Sequence, residues 1–244
     1  MPKKISLKQI LMKTGSFERV KDCIEAIENG HVTVDNEVVK SPNYYVNSKK
    51  SYVKLDHGKI KKQPKKYYIF NKPEGCICQK SEKEKTIYDL VEDKIPAPIF
   101  NSIFAVGRLD KDTEGLLILT NDGHLANKIL QPMNKIEKQY YVVLADSIGP
   151  AQIAKLEAGV TIGLGTEKYT TNPCKIEMER DRHFYIKIHE GKKRQIRKMF
   201  EAVNNKVIYL RRDSIGSLGL GKLIIGEVRE ITEKEIMNSI GSTE

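Results

Sequence analysis

The sequence predicts an α+β chain in two domains, a small αβ domain followed by a larger one built on a mixed or antiparallel sheet. Three observations carry this. Strand-like segments after residue 66 often succeed one another with no helix between them, which disfavours a doubly wound parallel fold. A polar, Pro-containing stretch, Lys61-Lys62-Gln63-Pro64-Lys65-Lys66, reads as a linker. Ahead of it lies most of the excess positive charge: residues 1–66 hold 15 basic and seven acidic residues, against a net charge of +10 for all 244 residues.

In the first domain, Ser6 can cap a short helix that turns Leu7, Ile10 and Leu11 inward and ends at Gly15. A second helix is expected from Ser16, because Phe17, Val20, Ile24 and Ile27 recur at spacings of three and four. Asn29-Gly30 stops it. His31–Val34, the turn Asp35-Asn36 and Glu37–Val39 read as a hairpin, and Tyr52–Leu55 as a further strand. The expected boundaries are a domain over 1–60, a linker over 61–66 and a second domain over 67–244.

In the second domain, strands are expected at Tyr67–Phe70, Ile103–Val106, Leu116–Thr120, Gln139–Leu144, Cys174–Met178 and His183–His189. Pro150 and Gly159 frame one helix. Thr232 and Glu235 form a capping box that opens a terminal helix carrying Ile236 and Ile240. A basic helix is expected from Lys192, with Ile196, Met199, Phe200 and Val203 as its apolar stripe.

Composition limits the functional classes. Hydrophobic residues at 39% beside charged residues at 30% support a core under a charged surface. No apolar run approaches the ~20 residues of a membrane-spanning helix, and the Met-Pro-Lys-Lys start leads into no apolar signal segment. A cytoplasmic protein without membrane association is therefore expected. Cys23, Cys76, Cys78 and Cys174 lack the spacing of a zinc site and read as free, mostly buried thiols. The five histidines are scattered, so no metal site is expected. A concentrated positive field attracts a polyanion through counterion release, which makes nucleic acid the expected partner.

The segment Gly107-Arg108-Leu109-Asp110-Lys111-Asp112-Thr113-Glu114-Gly115, followed by the strand Leu116–Thr120, is the most informative. Gly107 and Gly115 permit tight backbone paths, so a loop carrying Arg108 and Asp110 can be held against a buried strand. Asp110, Asp112 and Glu114 alternate and also admit a reading as a magnesium site in a nuclease. Gly-Arg-Leu-Asp with the Thr, Gly and Leu-rich strand behind it resembles the signature of pseudouridine synthases, in the branch that modifies ribosomal RNA. Further segments match in order: Asn71-Lys72-Pro73-x-Gly75, Glu137-Lys138-x-Tyr140, Glu190-Gly191-Lys192-Lys193-Arg194-Gln195-Ile196-Arg197-Lys198-Met199, and Gly226-Glu227-Val228-Arg229. Residues 5–56 resemble the S-four-type RNA-binding domain, on the run Gly30-His31-Val32-Thr33-Val34-x-x-Glu37-Val38-Val39 behind two short helices.

The resemblance implies a cofactor-free, monomeric enzyme that flips a uridine out of ribosomal RNA or a pre-ribosomal particle and rejoins the base to its ribose through carbon 5. It implies Asp110 as the catalytic carboxylate, Tyr140 as the tyrosine that stacks on the uracil, and Arg197 as the cation paired with the aspartate. Arg108 would enter the base stack, Ile196 would pack beside the target base, and Lys138, Lys192, Lys193 and Arg194 would face RNA. Arg19, Lys21 and Lys40 would lie near phosphates. The segment Asn71, Lys72 and Gly75 is expected to serve mainly structure. Two departures stand out: Val228 where relatives often have an aromatic residue, and Asn204-Asn205 where a Gly is common. The competing function is a non-enzymatic RNA-binding assembly factor, in which only the basic N-terminus acts.

Overall fold

A computed structural model describes residues 4–47 and 50–241, with no side chain described at residue 4. The first few residues of the expected N-terminal domain and positions 48 and 49 lie outside the described residues. The chain divides into two compact units.

One unit runs as far as Lys66 and takes in Glu92–Phe104. Its first helix, Leu7–Met12, begins on a complete capping box in which Ser6 Oγ accepts from the Gln9 amide and Gln9 Oε1 from that of Ser6. The second helix spans Val20–Glu28 and buries Cys23 and Ile27. It starts four residues later than the apolar spacing suggested, because Arg19 is the extended N-cap residue and Phe17 precedes the helix. Asp35 and Asn36 both adopt positive φ, at 53° and 73°, the geometry of a primed hairpin turn. They join Val32–Val34 to Glu37–Val38, within a four-stranded antiparallel sheet completed by Val53–Leu55 and Gly58–Lys59. Lys4–Ser6 pairs separately with Tyr45–Asn47. Leu7, Leu11, Cys23, Ile27, Val32, Val34, Val46 and Val53 close the core.

The sequence boundaries assigned all of 67–244 to the second domain, whereas Glu92–Phe104 groups with the first unit. One contact within that unit is close. Gly15, at φ +69°, sits so close to Pro98 that a Cβ there would stand 1.9 Å from the Pro98 carbonyl oxygen, and Asn101 Nδ2 donates to the Gly15 carbonyl at 3.2 Å.

The other unit, Tyr67–Val91 with Ala105–Glu244, is organised on a mixed nine-stranded sheet. Its main path runs Lys175–Arg180, His183–Ile188, Lys138–Leu144, Val207–Ile215, Glu114–Thr120, Tyr67–Lys72 and Val228–Ile231. Neighbours are antiparallel except Val207–Ile215 and Glu114–Thr120, which run parallel with Arg212 opposite Gly115. Tyr67–Lys72 is buried at every position, as a central strand covered on both faces must be. One face is covered by the helices Gly123–Leu130 and Glu233–Ile240, which contribute Leu125, Ile129, Ile236 and Ile240 to a core with Ile69, Leu116 and Ile118. The second of these helices opens on the Thr232–Glu235 capping box, and Pro150–Ala158 begins with its proline and ends at Gly159. Asn204, at φ 58°, takes the left-handed conformation after the helix Gln195–Glu201.

Candidate active site

The loop Gly107–Thr113 is pinned from below by the Tyr67–Lys72 strand and the segment after it. Lys72 has no exposed surface, and its Nζ donates to the carbonyl oxygens of Asp110 at 3.1 Å, Thr113 at 2.9 Å and Pro73 at 3.0 Å. Burial pushes its pKa down, partly offset by nearby Cys76, Cys78 and two acidic groups. The Asp110 carbonyl also accepts from the Thr113 amide, closing a tight turn. On the other flank the Leu109 amide donates to Cys78 Sγ at 3.3 Å, while that thiol lies 3.3 Å from the Leu109 carbonyl. Backbone polar groups that face inward are thereby satisfied, and Asp110 occupies a fixed position. The four cysteines are free, and burial raises the pKa of each thiol.

Gly115 continues this loop into the sheet at φ +106°, and a Cβ there would stand 2.2 Å from the Arg212 carbonyl oxygen. Only glycine lets the two strands approach this closely.

Above the loop opens a cavity of about 260 Å³, near the small end of ligand pockets. Of the residues singled out in the sequence, Asp110, Tyr140, Arg108, Lys138, Lys192, Lys193, Arg194 and Ile196 all line it. Tyr140 is 7% exposed and Ile196 4%, so they supply an apolar, partly aromatic wall. Lys138 donates to the Ile136 carbonyl, and burial together with the charge of Arg212 brings its pKa down to about 8. Lys192 and Lys193 precede the helix, which starts at Gln195 because Arg194 takes a left-handed conformation at φ 54°. Lys192 Nζ lies 4.6 Å from the centre of the Tyr169 ring.

Arg197 does not line the cavity, and the pairing expected between it and Asp110 is not the one the protein makes. Its Nε lies 3.3 Å from Asp112 Oδ2, and its guanidinium donates to the carbonyls of Asp112 and Val207. Asp112 also receives both terminal nitrogens of Arg194, each at 2.9 Å. Burial alone would raise the Asp112 pKa, but the Arg194 hydrogen bonds and the charges of Arg197 and Arg194 bring it below the ordinary value. The physical reason is the turn: the chain reverses between Asp110 and Thr113, and Asp112 is the carboxylate that meets Arg194 and Arg197. The three alternating carboxylates consequently do not converge on a cation, since Asp112 holds two arginines and Glu114 accepts from Tyr209 Oη at 2.6 Å.

Asn71 and Lys72 extend the strand two residues beyond the expected Phe70, and Asn71 Nδ2 donates to the Leu223 carbonyl. Arg19, Lys21 and Lys40 are exposed on the other unit, where Lys21 lies 3.6 Å from Glu25. Val228 is half-buried and pairs with Phe70. Sequence reading missed Arg212, which lines the cavity at 4% exposure. The signal was available: Arg212 lies two residues beyond the buried Leu210, so strand alternation puts both on one face.

A carboxylate on a loop whose backbone is held by Lys72, an aromatic wall and a rim of cations suit an anionic polymer that carries flat bases. A family model described as RNA pseudouridylate synthase matches residues 66–202. A Bacillus subtilis protein named RNA pseudouridine synthase YtzG is 36% identical over 228 residues, 91% of this chain and 92% of that one. The ribosomal small subunit pseudouridine synthase A of Haemophilus influenzae is 34% identical, covering 87% and 90%, and the ribosomal large subunit pseudouridine synthase B of Bacillus subtilis is 33% identical, covering 94% and 93%. A crystal structure of a pseudouridylate synthase superposes with a TM-score of 0.68 at 31% identity, over 97% of this chain and 99% of that one. The chain belongs to the RNA pseudouridylate synthase family, enzymes that isomerise uridine in RNA to pseudouridine.

Proposed function

We propose that this enzyme isomerises one or a few specific uridines in ribosomal RNA, with Asp110 as the catalytic carboxylate. The observation that carries the reading is the meeting of Asp110 with Tyr140 in one basic cavity, on a loop whose backbone is immobilised by Lys72. A carboxylate so placed can add to the anomeric carbon or take the 2′ proton of the sugar, and it stabilises positive charge developing at that carbon. A uridine within folded RNA must be extruded to reach it. Arg108, exposed at the mouth, fills the vacated stack, and its planar guanidinium suits that role. Tyr140 and Ile196 hold the base between them, and Lys138, Lys192, Lys193 and Arg194 take the flanking phosphates. Arg197 serves the loop through Asp112.

The N-terminal unit acts as an S-four-type RNA-binding module, with Arg19, Lys21 and Lys40 toward phosphates, and supplies affinity while the other unit supplies chemistry. Its two short helices and small sheet, and the concentration of positive charge before residue 66, support this. We place the enzyme in the cytoplasm as a monomer acting on free ribosomal RNA or a pre-ribosomal particle. Among the described residues no helix is long and apolar enough to cross a membrane.

The test is Asp110→Asn, which keeps RNA affinity and abolishes tritium release from carbon-5-labelled uridine in ribosomal RNA. Wild-type protein that releases no tritium from any unmodified ribosomal RNA would overturn the reading in favour of a non-enzymatic assembly factor. Pseudouridine mapping of ribosomal RNA from a deletion strain against its parent names the target.

A further inference from the structure

Two arginines stand side by side in the strand Val207–Ile215 with opposite circumstances. Arg211 donates from Nε to Asp213 at 2.6 Å and lies 5.3 Å from the centre of the Tyr141 ring, so its charge is matched. Arg212, on the other face, is buried in the cavity wall and, among the described residues, has no carboxylate within ion-pair distance. Its Nε donates to the Leu116 carbonyl at 2.7 Å, and its Nη1 reaches Tyr140 Oη only at 3.5 Å. Its Nη2 is buried with no hydrogen-bond partner. A guanidinium offers five N–H donors, and leaving a charged one buried and unmatched costs folding energy.

The surroundings make a purely structural role a poor account of that cost. Gly115 fixes the Arg212 backbone on one side, since any side chain there would collide with it. Tyr140 is its cross-strand partner on the other. The loop carrying Asp110 leads into the strand Glu114–Thr120, which meets the strand of Arg212 at Gly115. Lys138, nearby, adds a second cation to the same wall. Among the described residues nothing accepts from Nη2, and the chemistry proposed above generates an acceptor. When the C1′–N1 bond breaks, its electron pair leaves with the base, and the negative charge spreads from N1 onto the carbonyl oxygens. Reattachment forms C1′–C5, the C5 proton is lost, and N1 regains a proton, so the charge on the base is transient.

We propose that Arg212 is a further catalytic residue, whose unpartnered Nη2 donates to a carbonyl oxygen of the target uracil and stabilises the base as it detaches. The inference rests on the pseudouridine synthase reading and extends it to a donor that binds the departing base more tightly than the intact nucleotide.

The experiment compares full-length wild type, Arg212→Gln and Arg212→Lys in single-turnover tritium release, with RNA affinity and thermal unfolding measured alongside. Each protein is also given transcripts made with 2-thiouridine or 4-thiouridine in place of uridine, read by nucleoside chromatography, because sulfur accepts hydrogen bonds poorly. Arg212→Gln is expected to slow the chemical step by about 100-fold with affinity within about threefold of wild type. Its penalty should shrink on one of the two thio-substrates, and that substrate identifies the contacted oxygen. A rate within about threefold of wild type, or a penalty identical on all three substrates, overturns the inference while leaving the enzyme's activity standing. If Arg212→Gln does not fold, Arg212→Lys and the wild-type rates decide: equal wild-type rates on both thio-substrates and uridine overturn it. Wild type inactive on every RNA overturns the underlying reading and this inference together.

Discussion

Lys72 Nζ donates to the carbonyl oxygen of Asp110 at 3.1 Å, so a wholly buried ammonium holds the backbone of the residue whose side chain faces the cavity. Replacing it with methionine keeps the volume but leaves the carbonyls of Asp110, Thr113 and Pro73 short of a charged donor. Lys72→Met is expected to lose about 3 kcal/mol in urea unfolding and to lower kcat more than RNA affinity. A variant as stable and as fast as wild type would remove Lys72 from this account.

Gly115→Ala should be more damaging than its one methyl suggests. The new Cβ would lie 2.2 Å from the Arg212 carbonyl oxygen and 2.7 Å from its amide nitrogen, at φ +106°, and both obstacles are backbone. The two strands must separate, at an expected cost of at least about 3 kcal/mol and with loss of activity. Thermal unfolding and tritium release measure the two effects.

Asp112 ties the loop to the helix Gln195–Glu201 through Arg194 and Arg197. Asp112→Asn is expected to slow single-turnover release about tenfold, because both arginines lose their shared anion. The pH dependence has a definite sign. The folded pKa of Asp112 lies below the unfolded value, so its contribution is present above the unfolded pKa and is lost as pH falls through the folded one. The variant should therefore show a shallower fall in stability on acidification, followed by thermal unfolding between neutral and acid pH.

Lys138 titrates near pH 8 in the folded protein, below its unfolded value. Between those two values the unfolded chain binds the extra proton, so this group's contribution to stability rises with pH across that window. RNA affinity should move the other way, weakening as pH passes about 8 and the ammonium is lost. Lys138→Met should flatten both trends. Filter binding and thermal unfolding on either side of pH 8 check them; an unaltered affinity profile in the variant would exclude Lys138 as the titrating group.

Much of the fold could be read from local chemistry. Ser6, the Asp35-Asn36 turn, Pro150 with Gly159, and the Thr232–Glu235 box act through neighbours within a few residues, and each structural feature stands where those residues lie. The loop at Asp110 and the cavity position of Tyr140 followed from motif residues. What escaped reading depends on distant contacts. Val207–Ile215 is a central strand, but its Arg-Arg-Asp run hides the alternation of Leu210 and Arg212. The resemblance paired Arg197 with the aspartate at 110, and local spacing does not reveal which of two aspartates, two residues apart, Arg194 and Arg197 meet. The grouping of Glu92–Phe104 with the first unit involves contacts distant in the chain, such as that of Asn101 with Gly15, 86 residues apart.

The parallel pairing of Glu114–Thr120 with Val207–Ile215 brings together segments that leave the ribosome far apart in time. Such long-range pairing forms late, because a large loop must close before any contact rewards it. A nascent chain that has emerged only as far as Tyr140 already carries the acid and the aromatic ring, yet lacks the strand that sets them in place. Assembly of the cavity therefore waits for residues 207–215 to emerge, and a product truncated before them is expected to release no tritium.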